Sequence, residues 1–297
     1  MTITRARALA LIGATTSLAA CGGGADGKHP IAIGSKDFTE ELILGEMYAL
    51  ILEQNGFTVT RKLNLGGTQV AMAAMQRGDI DLYPEYTGTA LLTQLKVAPS
   101  KDAAANYETV KAYYDSHYKL TWLDAAPFND TQALATTQAI STKYGIKTLS
   151  DLSRAAPQLR LGAIPEFVKR ADALPGLRKA YGGFAFKDIK IFTIGLKYKA
   201  LASDNVDVVV AFGTDGQIEV DKLVVFEDDK HFWPSYQVAP VVRNDVLATY
   251  PAIATHLNKL APLLTDAIMR GLNAQVDGAK KEPKDVAAEF LKTHGFA

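Results

Sequence analysis

From Pro30 to Tyr86 the chain alternates short apolar runs with helical patterns, and this alternation limits its fold more than any other feature. "IAIGS" has the make-up of a strand. "DFTEELILGEMYALILEQNG" places Leu42, Ile43, Met47, Leu50 and Ile51 at helical spacing, with Asp37 and Glu40 at capping-box spacing and Gly56 where a C-terminal cap belongs. "FTVTRKLNL" predicts a second strand, "GGTQVAMAAMQRGD" a helix ending at Gly78, and "IDLYPEY" a third strand. Such a β-α-β-α-β order buries a sheet between helices, so an α/β domain with a largely parallel sheet is expected.

The pattern changes at Pro127, where "APFNDTQALATT" predicts an extended segment. "TLSDLSRAAPQ" then resumes as a capped short helix, and "LRLGAIPEF", "FKDIKIFTIG", "VDVVVAF" and "LVVFEDDK" supply the strands of a second α/β lobe. A further strand after "WPSYQVAPVVRNDVL" leads into C-terminal helices. The simplest architecture has two α/β lobes joined by extended crossings near residues 128–138 and 233–240. Ligands of such folds sit between the lobes, outside the C-terminal ends of strands.

The N-terminal stretch "MTITRARALALIGATTSLAAC" has Arg5 and Arg7 before an apolar run too short for a stable bilayer span, the pattern of a secretory signal. "LAAC" matches the lipobox of bacterial lipoproteins and ends at Cys21, the only cysteine of the chain. The expectation is a signal peptide over residues 1–21, lipid on Cys21 and a flexible tether over 22–29. The alternative is a chance cysteine beside an ordinary signal peptidase site. With no second cysteine, Cys21 has no internal disulfide partner.

Thirty-two basic residues balance thirty-two acidic ones, so no global field draws the chain to nucleic acid. No G-x-S-x-G, H-E-x-x-H or phosphate-cradling glycine motif occurs, and the five histidines are scattered. No enzymatic machinery, cofactor or metal site is therefore expected. The pairs Glu40–Glu41 and Asp228–Asp229 are most simply a helix N-terminus and a solvated turn. What remains is a set of charged, hydroxyl and aromatic residues at strand ends and crossings: Lys36, Tyr83, Tyr86, Thr89, Asp130, Arg170, Phe212, Asp215 and Tyr236. Aromatic faces hold a cation, each ring contributing about 0.5 to 2 kcal/mol. Lysine, arginine and hydroxyl donors suit a carboxylate.

Five stretches together carry a family resemblance: "IGSKDFTEELILGEMYALILEQNG", "LGGTQVAMAAMQRGDIDLYPEYTGTALL", "FVKRADALPGLRKAYGG", "GLKYKALASDNVDVVVAFGTDGQI" and "LVVFEDDKHFWPSYQVAPVVRNDVL". From about Ile31 onward the chain resembles the glycine betaine/choline/carnitine-binding proteins of bacterial ABC importers, with S-K-x-F-x-E, P-E-Y-T-G-T and T-D-G blocks in order. The resemblance implies a two-lobed type II periplasmic-binding-protein fold, with lobe 1 formed by 30–130 and 237–297 and lobe 2 by 131–236. It further implies that Lys36, Thr89 and Arg170 meet a ligand carboxylate, that Tyr86 and Tyr236 belong to an aromatic cage, and that Asp130 stands beside that cage.

Two positions depart from the family pattern. "FNDTQA" has Gln132 where a cage tyrosine is usual, and "AFGTD" has Phe212 where tyrosine is usual. Phenylalanine keeps a π face, whereas glutamine has none. The loss of one ring corresponds to betaine affinity lower by roughly two- to thirty-fold. The implied partners are a small quaternary ammonium or zwitterionic solute, an ABC permease, and a membrane reached through the lipid. The implied place is the periplasm or the outer face of the cytoplasmic membrane, for a monomer that binds no nucleic acid. Two alternatives stay open: the same fold with another small cationic or zwitterionic solute such as an amino acid, or an extracytoplasmic enzyme on a bilobal scaffold. Tyr83 or Tyr198 is the candidate to replace the missing ring.

Overall fold

The computed structural model describes residues 30–296. The signal segment, Cys21 and the tether lie outside the described residues.

β1 (Ile31–Gly34), α1 (Thr39–Gln54), β2 (Val59–Lys62), α2 (Thr68–Arg77) and β3 (Leu82–Tyr86) follow the alternation read from the sequence. α3 (Thr87–Ala90), α4 (Ala103–Tyr118) and β4 (Leu120–Trp122) complete this part before the chain crosses to β5 (Gln132–Thr136). Beyond it come α5 (Gln138–Tyr144), α6 (Leu149–Ala155), β6 (Arg160–Ala163), α7 (Leu174–Tyr181) and β7 (Asp188–Ile191). α8 (Lys197–Ala202), β8 (Val208–Phe212), α9 (Gly216–Val220) and β9 (Val224–Val225) follow. The chain then crosses back to β10 (Val238–Arg243), and α10 (Asn244–Thr249), α11 (Ala252–Leu257), α12 (Asp266–Asp277) and α13 (Pro283–Thr293) close it.

The strands form two five-stranded sheets, in the orders β2-β1-β3-β10-β4 and β7-β6-β8-β5-β9. Both are mixed, which corrects the expectation of a largely parallel sheet. β10 runs antiparallel to β3 and β4, and β5 runs antiparallel to β8 and β9. The physical reason lies in the crossings. β1, β3, β6 and β8 point their C-terminal ends toward the space between the sheets, whereas β5 and β10 each begin there because each follows a crossing. Strand ends and strand beginnings therefore meet at one place, where backbone pairing stops and side chains are free to face a ligand.

α1 departs from expectation in two ways. Its N-cap, Phe38, makes no side-chain cap bond, so Asp37 and Glu40 form no capping box; Glu40 is taken by Tyr86 and other donors instead. The helix is also buried nearly all round. Ile43, Leu44, Met47, Ile51 and Leu52 are fully buried, and α11, α12 and α13 pack on it opposite the sheet. Truncating Leu44 to alanine would cost about 2 to 5 kcal/mol, since a helix held on all sides cannot collapse into the cavity left behind. The first sheet is flanked by this core on one face and by a core of Met72, Met75, Tyr83, Val110 and Trp122 on the other. The second sheet packs Leu134, Leu161, Phe167 and Val208 on one face and Ala133, Leu201 and Val209 on the other.

Candidate functional site

A cavity of about 430 Å³ opens where the strand ends meet. Lys36 follows β1, Tyr86 ends β3 and Thr89 lies on α3, while Gln132 begins β5, Phe212 ends β8 and Arg170 follows the turn after β6. Asp130 and Tyr236 come from the two crossings. All eight of these residues line the cavity, together with Phe38, Thr68 and Glu166. Tyr83 and Asp215 do not line it.

Period-two alternation along β3 sorts the residues of "LYPEY". Tyr86 faces the cleft, whereas Tyr83 and Glu85 turn to the other face, where the Tyr83 hydroxyl donates to Glu85 Oε2 at 2.7 Å. The ring that joins Tyr86 is Phe38. Its centroid lies 6.1 Å from that of Tyr86 and 6.5 Å from that of Phe212, the latter pair stacked at 14°. Phe38 was absent from the sequence-derived candidates although it is the F of the S-K-x-F-x-E block. Tyr198 is buried elsewhere, with its hydroxyl on Asp215 Oδ2. Tyr236 is fixed by Gly88, where an added Cβ would stand 2.7 Å from the ring.

The cationic side of the site is internally paired. Lys36 is buried with Nζ 2.7 Å from Glu85 Oε1, 3.4 Å from Glu41 Oε1 and 4.6 Å from the Tyr86 ring centroid. Burial alone would lower its pKa, but the charges of Glu85 and Glu41 outweigh it and raise the value. Burial pushes Glu41 up to about 8, against the pull of Lys36. Arg170 makes two bonds to Asp172, which also accepts from Gln132 Nε2 and from the Tyr236 hydroxyl, both at 2.6 Å. Asp172 therefore holds three cavity-lining side chains without lining the cavity itself. The hydroxyl of Thr89, by contrast, donates to no partner among the described residues.

A third group connects the two sheets. Glu40 accepts from Tyr86 at 2.7 Å, Thr214 at 2.5 Å and Asn273 at 3.0 Å, and Thr214 also lies 2.8 Å from Asp130. Glu40 and Glu41 are thus parts of the site's framework and not the bare helix N-terminus expected from sequence. The T-D-G block acquires a reason as well. Thr214 bridges Glu40 and Asp130, Asp215 accepts from Lys197, Tyr198 and the Phe212 N–H, and a Cβ on Gly216 would stand 2.4 Å from Ala274 N of α12.

Rings flanked by paired cations and a free hydroxyl suit a small zwitterion. The comparisons agree: the model for the substrate binding domain of ABC-type glycine betaine transport systems matches residues 29–293. The chain belongs to this family. It is 38% identical to the ergothioneine transport permease/ergothioneine binding protein EgtU of Helicobacter pylori (strain G27), over 91% of this chain and 48% of that one, so it spans about half that relative's length. It is 37% identical to the glycine-betaine-binding protein of Pseudomonas aeruginosa, over 89% of this chain and 88% of that protein. A solved glycine betaine/carnitine/choline ABC transporter structure superposes with TM-score 0.74 at 33% identity, covering 90% of this chain and 99% of the other. As a substrate-binding domain of this family, the protein has its cavity where the two sheets of the α/β fold face each other. Among the described residues no helix is long and apolar enough to cross a membrane, and no group of three or more His, Cys, Asp or Glu residues is placed to hold a metal.

Proposed function

We propose that this chain binds a quaternary ammonium zwitterion of the glycine betaine type and delivers it to an ABC permease, acting as a monomeric binding protein and not as an enzyme. The observation that carries this reading is Phe38 set between Tyr86 and Phe212 at the wall of a cavity that Asp130 also lines. Three π faces beside a carboxyl group suit a methylated ammonium, which offers no N–H to bond. Lys36, Thr89 and Arg170 are assigned to the ligand carboxylate. Residues 30–130 and 237–297 would form one lobe and 131–236 the other, closing on the ligand because only the closed arrangement brings all three groups to one carboxylate. Lipid on Cys21 would keep the protein at the outer face of the membrane. Isothermal titration with glycine betaine, choline and carnitine, after refolding to remove carried-over solute, tests the reading. Micromolar glycine betaine binding supports it, and a folded protein that binds none of the three rejects the ligand class.

A second reading rests on Gln132. Its Nε2 donates to Asp172 and to the Tyr236 hydroxyl, which fixes the amide, and its Oε1 accepts from no partner among the described residues. A ligand with an N–H or O–H donor near its trimethylammonium group would use that oxygen. Ergothioneine, named in the Helicobacter pylori relative, combines a trimethylammonium, a carboxylate and a ring N–H. Tighter binding of ergothioneine than of glycine betaine, with Gln132→Leu weakening ergothioneine more, would favour this reading over the first.

A further inference from the structure

Thr214 stands between two carboxyl groups that its one hydroxyl hydrogen cannot serve together. Its Oγ1 lies 2.5 Å from Glu40 Oε2 and 2.8 Å from Asp130 Oδ1. A threonine hydroxyl donates once and otherwise accepts. With both carboxyl groups ionised, one oxygen would face Oγ1 lone pair to lone pair in a buried setting, where an unpaired charge is most costly. Both distances are satisfied when one carboxyl carries a proton, donates it to Oγ1, and Oγ1 donates its own hydrogen to the other.

The hydrogen-bond partners decide which carboxyl that is. Glu40 accepts from Tyr86, from Asn273 and from Thr214, the environment of a carboxylate. Asn273 cannot turn its amide over, since Nδ2 also donates to Thr214 O, and its Oδ1 is buried with no partner among the described residues. Asp130 is served by Thr214 alone, through its hydroxyl and its backbone N–H, against three side-chain donors on Glu40, and it is Asp130 and not Glu40 that lines the cavity. The charged neighbours do not neutralise the pair. Asp215, after β8, is bonded by Lys197 and Tyr198, Asp277 on α12 accepts from Thr39, and Lys36 is paired with Glu41 and Glu85. Arg270 on α12 donates from Nη2 to Gly213 O and is not among the charges that act on either carboxyl.

We propose that the ligand-free site stores one proton on the Glu40–Asp130 pair, held by Asp130, and that an arriving quaternary ammonium group displaces it. This rests on the reading of the ligand as a cation-bearing solute. In the exchange the O–H bond of Asp130 breaks, the proton passes to solvent, and the pair goes from one negative charge to two as the cation adds one positive charge. The net charge at the cation end of the site is unchanged, while the ligand carboxylate is met separately by Lys36, Thr89 and Arg170. A solute of the same shape without an ammonium group has nothing to offset the ionisation, so the exchange selects for the cation as the rings select for shape. Burial, reinforced by the charges of Glu40 and Asp215, holds Asp130 well above the usual carboxylate range, and burial pushes Glu40 up to about 7 against its donors.

Two measurements on the full chain test this. Titration calorimetry with glycine betaine at about pH 7, in two buffers of different ionisation enthalpy, should show close to one proton released per ligand, with affinity rising about tenfold per pH unit while the pair stays protonated. Side-chain carboxyl NMR of the ligand-free protein should show Asp130 protonated at the same pH. Asp130→Asn, whose amide can still donate to Thr214, should abolish the release and flatten the pH dependence. Binding with equal heats in both buffers, or a ligand-free spectrum with both carboxyl groups ionised, overturns the proposal. If glycine betaine gives no heat, the ligand reading fails by itself, and the ligand-free spectrum decides the stored proton.

Discussion

Gln132 Nε2 lies 2.6 Å from Asp172 Oδ2, so a buried carboxylate orients an amide that lines the cavity. The same carboxylate holds Arg170 and Tyr236. Asp172→Asn is expected to leave a donor unpaired and to lower stability by about 1 to 3 kcal/mol, the usual cost of an unmet buried polar group. Thermal unfolding checks this, and glycine betaine affinity should fall with it. An unchanged melting temperature and affinity would remove Asp172 from its positioning role.

Phe38→Ala should weaken a quaternary ammonium ligand by roughly two- to thirty-fold, the worth of one ring at about 0.5 to 2 kcal/mol. Phe38 is only half-buried, so the fold should survive the change. Calorimetry on a folded variant with undiminished affinity would show that Tyr86 and Phe212 suffice.

Arg170→Ala should weaken glycine betaine by roughly ten- to a hundred-fold, the range of a charge-assisted hydrogen bond, and choline much less, because choline has no carboxylate. Equal losses for the two ligands, measured side by side, would show that Arg170 acts only through its bonds to Asp172.

Stability should fall as pH rises from about 4.5 to about 8, the interval between the ordinary glutamate value and the raised value of buried Glu41. Below the interval both folded and unfolded chains hold the proton. Within it the unfolded chain releases a proton that the folded chain keeps, which favours unfolding, and above it the loss is complete. Glu40, pushed up to about 7, adds in the same direction. Melting temperatures across this range should decline less steeply in Glu41→Gln, and an identical slope would show that Glu41 ionises normally.

Element order was legible because hydrophobic period distinguishes helix from strand, but the same period describes a strand running either way. The antiparallel placement of β5 and β10 was therefore hidden. The eight cavity residues were found from strand ends together with family resemblance, and Phe38 and Thr214 stood unread inside quoted blocks. Asp172 and Asn273 left no signal: one is an ordinary turn aspartate two residues from Arg170, the other a helical asparagine far along the chain. Glu40 and Glu41 misled because acids in a first helical turn usually need no further explanation.

The contact of Gly216 with α12, and the amide that α12 places on Glu40, tie the site to a segment that lies beyond all of its lining residues. A nascent chain halted before α12 already contains every residue that lines the cavity. It lacks Asn273, and so lacks one of the donors that make Glu40 the ionised member of its pair. The charge state of the pair at the cavity thus depends on a helix that contributes no residue to the cavity wall.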